Sequence, residues 1–414
     1  MTFTQRLRPL AWRFLFLLST IGPGLITGSA DNDASGIATY SMAGSTFGYG
    51  FLWVIVWVTV GEVLVQEMAA RMGMATGKGL TDLIRERFGV RTALLVILGL
   101  TISNLGTTVA QFAGIASSAE LLAVARYLMV PAAAFAVWFL VLRGSYHQVE
   151  KGLLLLTLYG LAYVASTILA RPSWSEVLSA AAVPTLRIER QFLLALLATV
   201  GTTITPWGCA YMQASVADKG VRATEYAYTR LDVVVGAVTG NIISIFIIIS
   251  TAATLFVHGI RVETAEQAAL ALAPLAGPWA KLLFALGMLG ASLLAAAVLP
   301  LATTYSVCEA FGWERGINHS LAEAPMFYGI YTGLIVLSAA IVLIPRIPLF
   351  PLMWLSQVLN AALLPIVLLY MLRLANDASL MKRWCNPRLT NILATLLGVA
   401  IALATAAMLA DAFL

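Results

Sequence analysis

Two acidic residues interrupt the first long apolar run of the chain. Asp31 and Asp33 lie within GPGLITGSADNDASGIATYSMAG (residues 22–44), beside Asn32 and among small residues. An ionisable side chain inside a membrane is costly, and it is tolerated where it faces a cavity, a partner or an ion path. A second interrupted run, LATVGTTITPWGCAYMQAS (197–215), follows in the second half of the chain. Paired interrupted helices in two halves of a sequence indicate a transporter binding site.

The composition places the chain in a lipid bilayer. Of 414 residues, 60% are hydrophobic and 11% are charged, whereas soluble domains carry about 25% charged residues. We expect one membrane-spanning domain over residues 1–414. The net charge of +5 is spread over short loops, so no nucleic-acid partner is expected. The first apolar run lacks a small-residue cleavage site, and no cleaved signal peptide is expected.

The cysteines and histidines point away from enzymatic chemistry. The three cysteines lie far apart, so they form neither a disulfide framework nor a metal motif: Cys209, Cys308 and Cys385. The sequence shows no HExxH motif, and its only histidines fall in predicted loops: His147, His258 and His319. We therefore expect neither an enzyme nor a bound cofactor.

The hydropathy pattern predicts an all-α polytopic protein with eleven spanning helices, because one span needs about 20 apolar residues. The predicted helices are 13–41, 49–70, 92–120, 127–143, 149–170, 191–216, 228–257, 279–311, 327–344, 349–374 and 389–413. The loop 171–190 has room for a short interfacial helix. Most of the 25 Lys and Arg residues fall in loops on one side. The positive-inside rule then puts the N-terminus in the cytoplasm and the C-terminus outside a multi-pass protein of the cell membrane.

Helices 1–5 and 6–10 enter the membrane from opposite sides in this topology. The two units, about 13–170 and 191–374, therefore make a five-plus-five inverted repeat, and the helix at about 389–413 is an addition to it. The first helix of each unit is the interrupted one.

The interruptions supply the candidate metal ligands. Asp33 lies at the break of helix 1, which has no Lys or Arg nearby to neutralise the carboxylate, so we expect Asp33 to bind a cation. Two interpretations of Asp31 stay open: it lines an access path or holds an ion-bound water, or it is a hydrogen-bonded structural acid. Pro206 removes a backbone donor in helix 6, which frees carbonyls between Thr202 and Thr205 to bind an ion. The alternative is a proline kink without a ligand.

Several other polar residues lie in predicted spans. Gln357 in helix 10 offers an amide oxygen, either to the ion or to a neighbouring helix. Glu67 and Arg71 have the spacing of an ion pair within one helix. Glu62 has no such neighbour and is interpreted as facing a vestibule. Cys209 is interpreted as a packing residue that lies near enough to the break to be a minor ligand candidate.

Longer motifs resemble the NRAMP family of divalent-metal transporters over nearly the whole chain. They are GPG (22–24), the Asp33 region, FGYGFLW (47–53), QEMAARMGMATGKGLTDLIRERFG (66–89), VGTTITP (200–206) and LSQV (355–358). The resemblance implies the LeuT-like five-plus-five fold, with Asp33 as the metal-binding aspartate and Gln357 as the retained glutamine of helix 10.

The departures from the family pattern are informative. Where the family reads Asp-Pro-Gly-Asn, this chain reads DASG (33–36), so the Asn ligand is replaced at Gly36. Where the family reads Met-Pro-His, this chain reads TPW (205–207), and the thioether is replaced by Thr205. The Asp and Glu that serve proton transport in helix 3 are replaced by Thr108 and Gln111. The pattern resembles the divergent NRAMP-related magnesium transporter branch.

The predicted metal site therefore comprises oxygen-bearing positions in three segments: Asp31, Asp33, Gly36, Thr202, Thr205 and Gln357. Without a thioether the site favours hard ions, and Mg²⁺ prefers oxygen ligands and keeps several waters. We expect a monomeric transporter of Mg²⁺, and also of Mn²⁺, without proton coupling. Two alternatives stay open: a proton-coupled Mn²⁺ or Fe²⁺ importer, and a sodium-coupled organic-solute symporter on the same fold.

Overall fold

The computed structural model describes residues 32–142, 160–316 and 319–413, with side chains described through residue 410 in the last segment. The helices of the first half are α1 Ala34–Phe47, α2 Leu52–Thr76, α3 Leu80–Phe88, α4 Val90–Leu121, α5 Arg126–Leu142, α6 Gly160–Ala170, α7 Trp174–Ala182, α8 Arg190–Thr203 and α9 Pro206–Asp218. The helices of the second half are α10 Tyr226–Thr254, α11 Ala265–Ala269, α12 Ala273–Ala276, α13 Ala280–Phe311, α14 Pro325–Val342, α15 Leu349–Ala375, α16 Ala378–Met381 and α17 Arg388–Phe413. These segments contain no β-strand.

The described helices agree with the predicted spans. Eight of them, some joined through short turns, are long and apolar enough to cross a membrane, and α5 and α6 are shorter apolar helices. The predicted helices 13–41 and 149–170 fall partly outside the described residues. Helix 1 extends beyond its predicted end at 41 to Phe47, and a 3₁₀ turn, Gly48–Phe51, leads directly into α2. The loop 171–190 does contain a helix, α7.

Helix α4 lies at the centre of the packing. It contacts α13, α15, α14 and α1, while α10 packs on α1 and α2, and α8 packs on α15 and α1. Two buried apolar clusters, one around Phe112 and Phe284 and one around Phe51 and Phe192, fill the spaces between these helices. The helices that carry the predicted site residues are therefore direct neighbours.

Two glycines allow close approaches between the helices that surround the predicted site. A Cβ on Gly114 of α4 would lie 2.3 Å from the Cβ of Ala34, at the start of α1. A Cβ on Gly201 of α8 would lie 1.9 Å from the carbonyl oxygen of Gln357 on α15. Both neighbours are rigid, so each position requires glycine for its present packing.

We predict that Gly201→Ala destabilises the protein by about 1–3 kcal/mol, because the new methyl group has to push the α15 backbone away. The matched control is Gly333→Ala on α14, where no other atom lies within 4 Å of the added Cβ. Thermal unfolding in detergent should show a lower midpoint for Gly201→Ala and no loss for Gly333→Ala. Equal midpoints for the two variants would contradict this account of the α8–α15 contact.

Candidate functional site

The first helix break is organised by the carboxylate of Asp33. Asp33 is the N-cap of α1, and its Oδ1 accepts hydrogen bonds from the Gly36 N–H at 2.8 Å and from the Ser35 hydroxyl at 2.5 Å. An aspartate at this position satisfies the unpaired N–H groups of the first helical turn and interacts favourably with the helix dipole. The side chain is buried, with 5% of its surface exposed. Helix α1 therefore begins directly after the residue at which the sequence predicts the interruption of helix 1.

Gln111 of α4 holds the other oxygen of the same carboxylate. Its Nε2 donates to Asp33 Oδ2 at 2.6 Å, and its Oε1 accepts from the Ala34 N–H at 3.3 Å. The backbone N–H can only donate and the ionised carboxylate can only accept. These two partners therefore fix the orientation of the Gln111 amide.

A chain of hydrogen bonds continues from this pair to α15. Gln111 Nε2 also reaches the carbonyl oxygen of Thr107 at 3.2 Å, and the Thr107 hydroxyl accepts from Asn360 Nδ2 at 3.0 Å. Asn360 Nδ2 also donates to Gln357 Oε1 at 2.9 Å. The predicted ligand oxygen of Gln357 is thus buried, and it accepts a hydrogen bond from its own helix.

The second helix break repeats the construction of the first. Thr205 is the N-cap of α9, and its Oγ1 accepts from the Gly208 N–H at 3.1 Å, just as Asp33 accepts from Gly36. Pro206 has no N–H to give to the Thr202 carbonyl, four residues earlier. The last carbonyls of α8 consequently lack donors from a continuing helix. Unwound carbonyls at such half-helix ends coordinate cations in transporters with broken helices.

Tyr40 connects the two broken helices. Its hydroxyl lies 2.9 Å from Oγ1 of Thr203, the last residue of α8, and both side chains are buried. Thr203 in turn donates to the Thr199 carbonyl at 2.9 Å, so its hydrogen is committed and the Tyr40 hydroxyl is the donor between them. This bond joins α1, which starts at Asp33, to the carbonyl end of α8.

The described hydrogen-bond partners of Asp33 are neutral. The ion pairs of the described segments do not include it. Within the same segments, no three His, Cys, Asp or Glu side chains converge in a way that could hold a metal ion. An ion bound at Asp33 would therefore have to complete its coordination with backbone and amide oxygens or with water.

Five of the six predicted site residues lie within the described part of the chain. Asp33 and Thr205 cap the two breaks, and Thr202 is buried in the last turn of α8. Gly36 donates its N–H to Asp33 and so orients the carboxylate. Asp31 lies outside the described residues. Direct coordination by any of these residues stays a prediction.

Ser35 and Gln111, which directly bind the Asp33 carboxylate, were not among the predicted site residues. The local signal for Ser35 was its position two residues after Asp33 in the break. The signal for Gln111 was its place among polar residues such as Thr107 and Thr108 in a predicted span, but the sequence does not show which side chain faces it from 78 positions away.

The other buried carboxylates have partners of their own. Glu62 is fully buried, rather than facing a vestibule, and accepts from Gln66 at 2.8 Å and from Asn241 at 2.5 Å. Glu67 and Arg71 form the expected pair at 3.3 Å. Glu309 accepts from Thr81 at 2.8 Å and lies 3.5 Å from Arg315. Burial lowers the pKa of the Arg315 guanidinium, but Glu309 and Asp82 outweigh it and raise that pKa above its ordinary value.

A cavity of about 740 Å³ opens between the ends of α1 and α4, the segment before α11 and the start of α15. Its lining includes Glu120, Glu263 and Glu266. Glu120 is nine residues beyond Gln111 on α4, or about 14 Å along the helix. The predicted topology puts this opening on the outer face of the membrane.

Comparison with known proteins identifies the family. The family described as natural resistance-associated macrophage protein-like, Nramp, matches residues 24–411. The chain belongs to the Nramp family. A relative from Erwinia tasmaniensis named as a divalent metal cation transporter, MntH, is 32% identical over 66% of this chain and 68% of its own length. The MntH of Yersinia enterocolitica is 28% identical over 92% of both chains.

Solved structures support the fold of this Nramp protein. A manganese transporter from Eremococcus coleocola superposes with a TM-score of 0.77 at 20% identity, covering 95% of this chain and 86% of that one. Mhp1, a nucleobase-cation-symport-1 transporter, superposes with a TM-score of 0.58 at 17% identity, covering 94% and 91%. Both have the LeuT fold, which confirms the predicted fold class. The boundaries of the two repeats stay a prediction.

We predict that Asp33→Asn weakens Mn²⁺ binding at least about tenfold, or about 1.4 kcal/mol, because it removes the charge while keeping an oxygen that can cap α1. Asp377→Asn is the matched control, since Asp377 also caps a helix by accepting from a backbone N–H, that of Ser379. Isothermal titration calorimetry in detergent measures both variants. Equal affinities for Asp33→Asn and the wild type would exclude Asp33 as a ligand.

Proposed function

We propose that this Nramp protein carries divalent metal ions across the membrane, with Mg²⁺ as its main substrate and Mn²⁺ as a second, and that it does so without proton coupling. The observation that carries the proposal is a buried carboxylate at a helix break whose described partners are all neutral. Such a carboxylate needs a cation, and the carbonyl end of α8 supplies hard oxygen ligands. The relatives named MntH support the divalent-ion class of substrate.

The preference for Mg²⁺ rests on the donor atoms at the second break. Thr205 offers a hydroxyl where the family pattern has a thioether, and thioethers favour softer transition metals. The Thr205 oxygen is already used to cap α9. Oxygen ligands with several retained waters suit Mg²⁺, which loses its hydration shell reluctantly.

The absence of proton coupling is supported by the residues beside Asp33. Thr108 donates its hydroxyl to the Asn104 carbonyl at 2.8 Å, and Gln111 binds Asp33. Neither side chain changes protonation near neutral pH, and neither does Trp207 next to the second break. Ion flow would then follow the electrochemical gradient, to which a membrane potential of 100 mV contributes about 2.3 kcal/mol per charge.

A proton-coupled Mn²⁺ or Fe²⁺ importer is the second candidate, and it fits the comparisons about as well. Its support is that relatives and fold neighbours are named as divalent metal or manganese transporters. Asp31 and the buried Glu62 would then have to carry the proton. For a sodium-coupled organic-solute symporter, the support is limited to the fold shared with Mhp1.

Proteoliposomes that contain a pH dye decide between the first two candidates. We predict uptake of Mg²⁺ and Mn²⁺ that responds to the membrane potential and leaves the internal pH unchanged, with Asp33→Ala as the inactive control. Metal-dependent acidification that disappears in Asp31→Asn or Glu62→Gln would establish the proton-coupled importer instead. Substantial uptake by Asp33→Ala would refute the proposed site.

A thioether at the second break should change the ion preference. We predict that Thr205→Met raises the ratio of Cd²⁺ to Mg²⁺ uptake by about tenfold or more, since sulfur ligands favour soft ions. Thr205→Ala is the matched control, because both variants lose the cap of α9, at about 1 kcal/mol, and only one gains sulfur. A wild-type protein that already binds Cd²⁺ far more tightly than Mg²⁺ would contradict the all-oxygen site.

A further inference from the structure

We infer that Ser35 and Gln111 restrict Asp33 to a single coordination position and thereby select against Ca²⁺. The inference rests on the proposed function, since it concerns the same carboxylate as an ion ligand. Ser35 and Gln111 would thus contribute to the selection among hard divalent ions without touching the ion.

The donors around Asp33 are distributed unequally between its two oxygens. An ionised carboxylate has about four lone-pair positions, two on each oxygen. Oδ1 accepts from the Ser35 hydroxyl at 2.5 Å and from the Gly36 N–H at 2.8 Å, and the Ser35 N–H is a further donor to the carboxylate. On Oδ2 one is occupied, by Gln111 Nε2 at 2.6 Å. Among the described side-chain and Gly36 donors, Oδ2 therefore receives fewer than Oδ1 and is the oxygen open to an ion.

Each of these donors is held in place independently of Asp33. Gln111 is fully buried, its Oε1 accepts from the Ala34 N–H, and Gly114, one turn further along α4, holds that helix against Ala34. Ser35 is also fully buried, in the first turn of α1. The carboxylate therefore cannot rotate to offer both oxygens to one ion without breaking hydrogen bonds to a charged group, which are stronger than those between neutral groups.

A single open position affects Mg²⁺ and Ca²⁺ differently. Mg²⁺ takes six ligands in a near-octahedral arrangement and is satisfied by one carboxylate oxygen, a few neutral oxygens and waters. Ca²⁺ takes six to eight oxygens and gains its ligand number readily from bidentate carboxylates. A carboxylate restricted to one oxygen thus gives Ca²⁺ fewer ligands than it prefers, while Mg²⁺ and Mn²⁺ lose nothing.

Two substitutions open the carboxylate from opposite sides. Ser35→Ala removes the hydroxyl donor from Oδ1, so that this oxygen becomes more accessible to an ion and bidentate binding becomes easier. Gln111→Met keeps the approximate volume but removes the donor on Oδ2 and frees the carboxylate to rotate. We expect each to raise the ratio of Ca²⁺ to Mg²⁺ uptake in proteoliposomes at least about fivefold, and the double variant to raise it further.

Controls separate this effect from general damage. Ser35→Thr keeps the hydroxyl and should keep the low ratio. Ser118→Ala on α4 and Gln213→Met on α9 make the same chemical changes at buried residues whose described hydrogen bonds go to backbone carbonyls, and both should leave the ratio unchanged. The inference is overturned if Ser35→Ala and Gln111→Met still transport Mg²⁺ and keep the wild-type ratio of Ca²⁺ to Mg²⁺ uptake. It is also overturned if the control variants raise this ratio equally.

A measurement on the wild type tests the inference without any variant. Infrared difference spectra on adding Mg²⁺ report the separation of the two carboxylate stretching bands, which is wide for monodentate and narrow for bidentate binding. We expect a wide separation of the two Asp33 stretching bands, which are identified by their absence in Asp33→Asn. A narrow separation would refute the inference. Ion uptake by Asp33→Ala would instead refute the proposed function. If Asp33→Ala takes up no ion, but Ser35→Ala and Gln111→Met keep the wild-type ratio of Ca²⁺ to Mg²⁺ uptake, this inference alone is refuted.

Discussion

The carboxylate of Asp33, hydrogen-bonded by three neutral donors at the start of a helix, is the interaction on which the site depends. Ser35, Gly36 and Gln111 stabilise the charged form and fix its direction, yet none of them cancels its charge. The same bonds begin α1 and attach it to α4. Under the proposed function, folding and ion binding are coupled at one side chain, because the group that caps α1 is also the proposed ion ligand.

The two breaks are built alike but have different electrical character. Each begins a helix with a side-chain oxygen that caps the N–H three residues later, at Gly36 and at Gly208. The cap of α1 carries a full negative charge, whereas the cap of α9 is the neutral hydroxyl of Thr205. The carbonyl end of α8 faces the second break. A site with one charged group and several dipoles would bind an ion weakly enough to release it, whereas a very high affinity would stop transport.

The sequence predicted the elements more completely than the contacts. Hydropathy located the described spans, and Gly, Pro and buried acids located the start of α1 and the break between α8 and α9, because these signals are local in the chain. The pairing of Gln111 with Asp33 was not predictable, since it depends on how α4 approaches α1 at Gly114. The burial of Glu62 against Asn241 escaped prediction for the same reason. Side-chain partners across helices are set by packing, which hydropathy does not encode.

The central claim is that an ion binds at the break through one oxygen of Asp33. A crystal structure of the protein soaked with Mn²⁺, with the ion located by its anomalous scattering, tests it most directly. The account predicts a single peak at coordination distance, about 2 Å, from Asp33 Oδ2, with carbonyl oxygens of the α8 end and waters completing the shell. A peak held by other side chains, with Asp33 still bonded only to Ser35, Gly36 and Gln111, would contradict it.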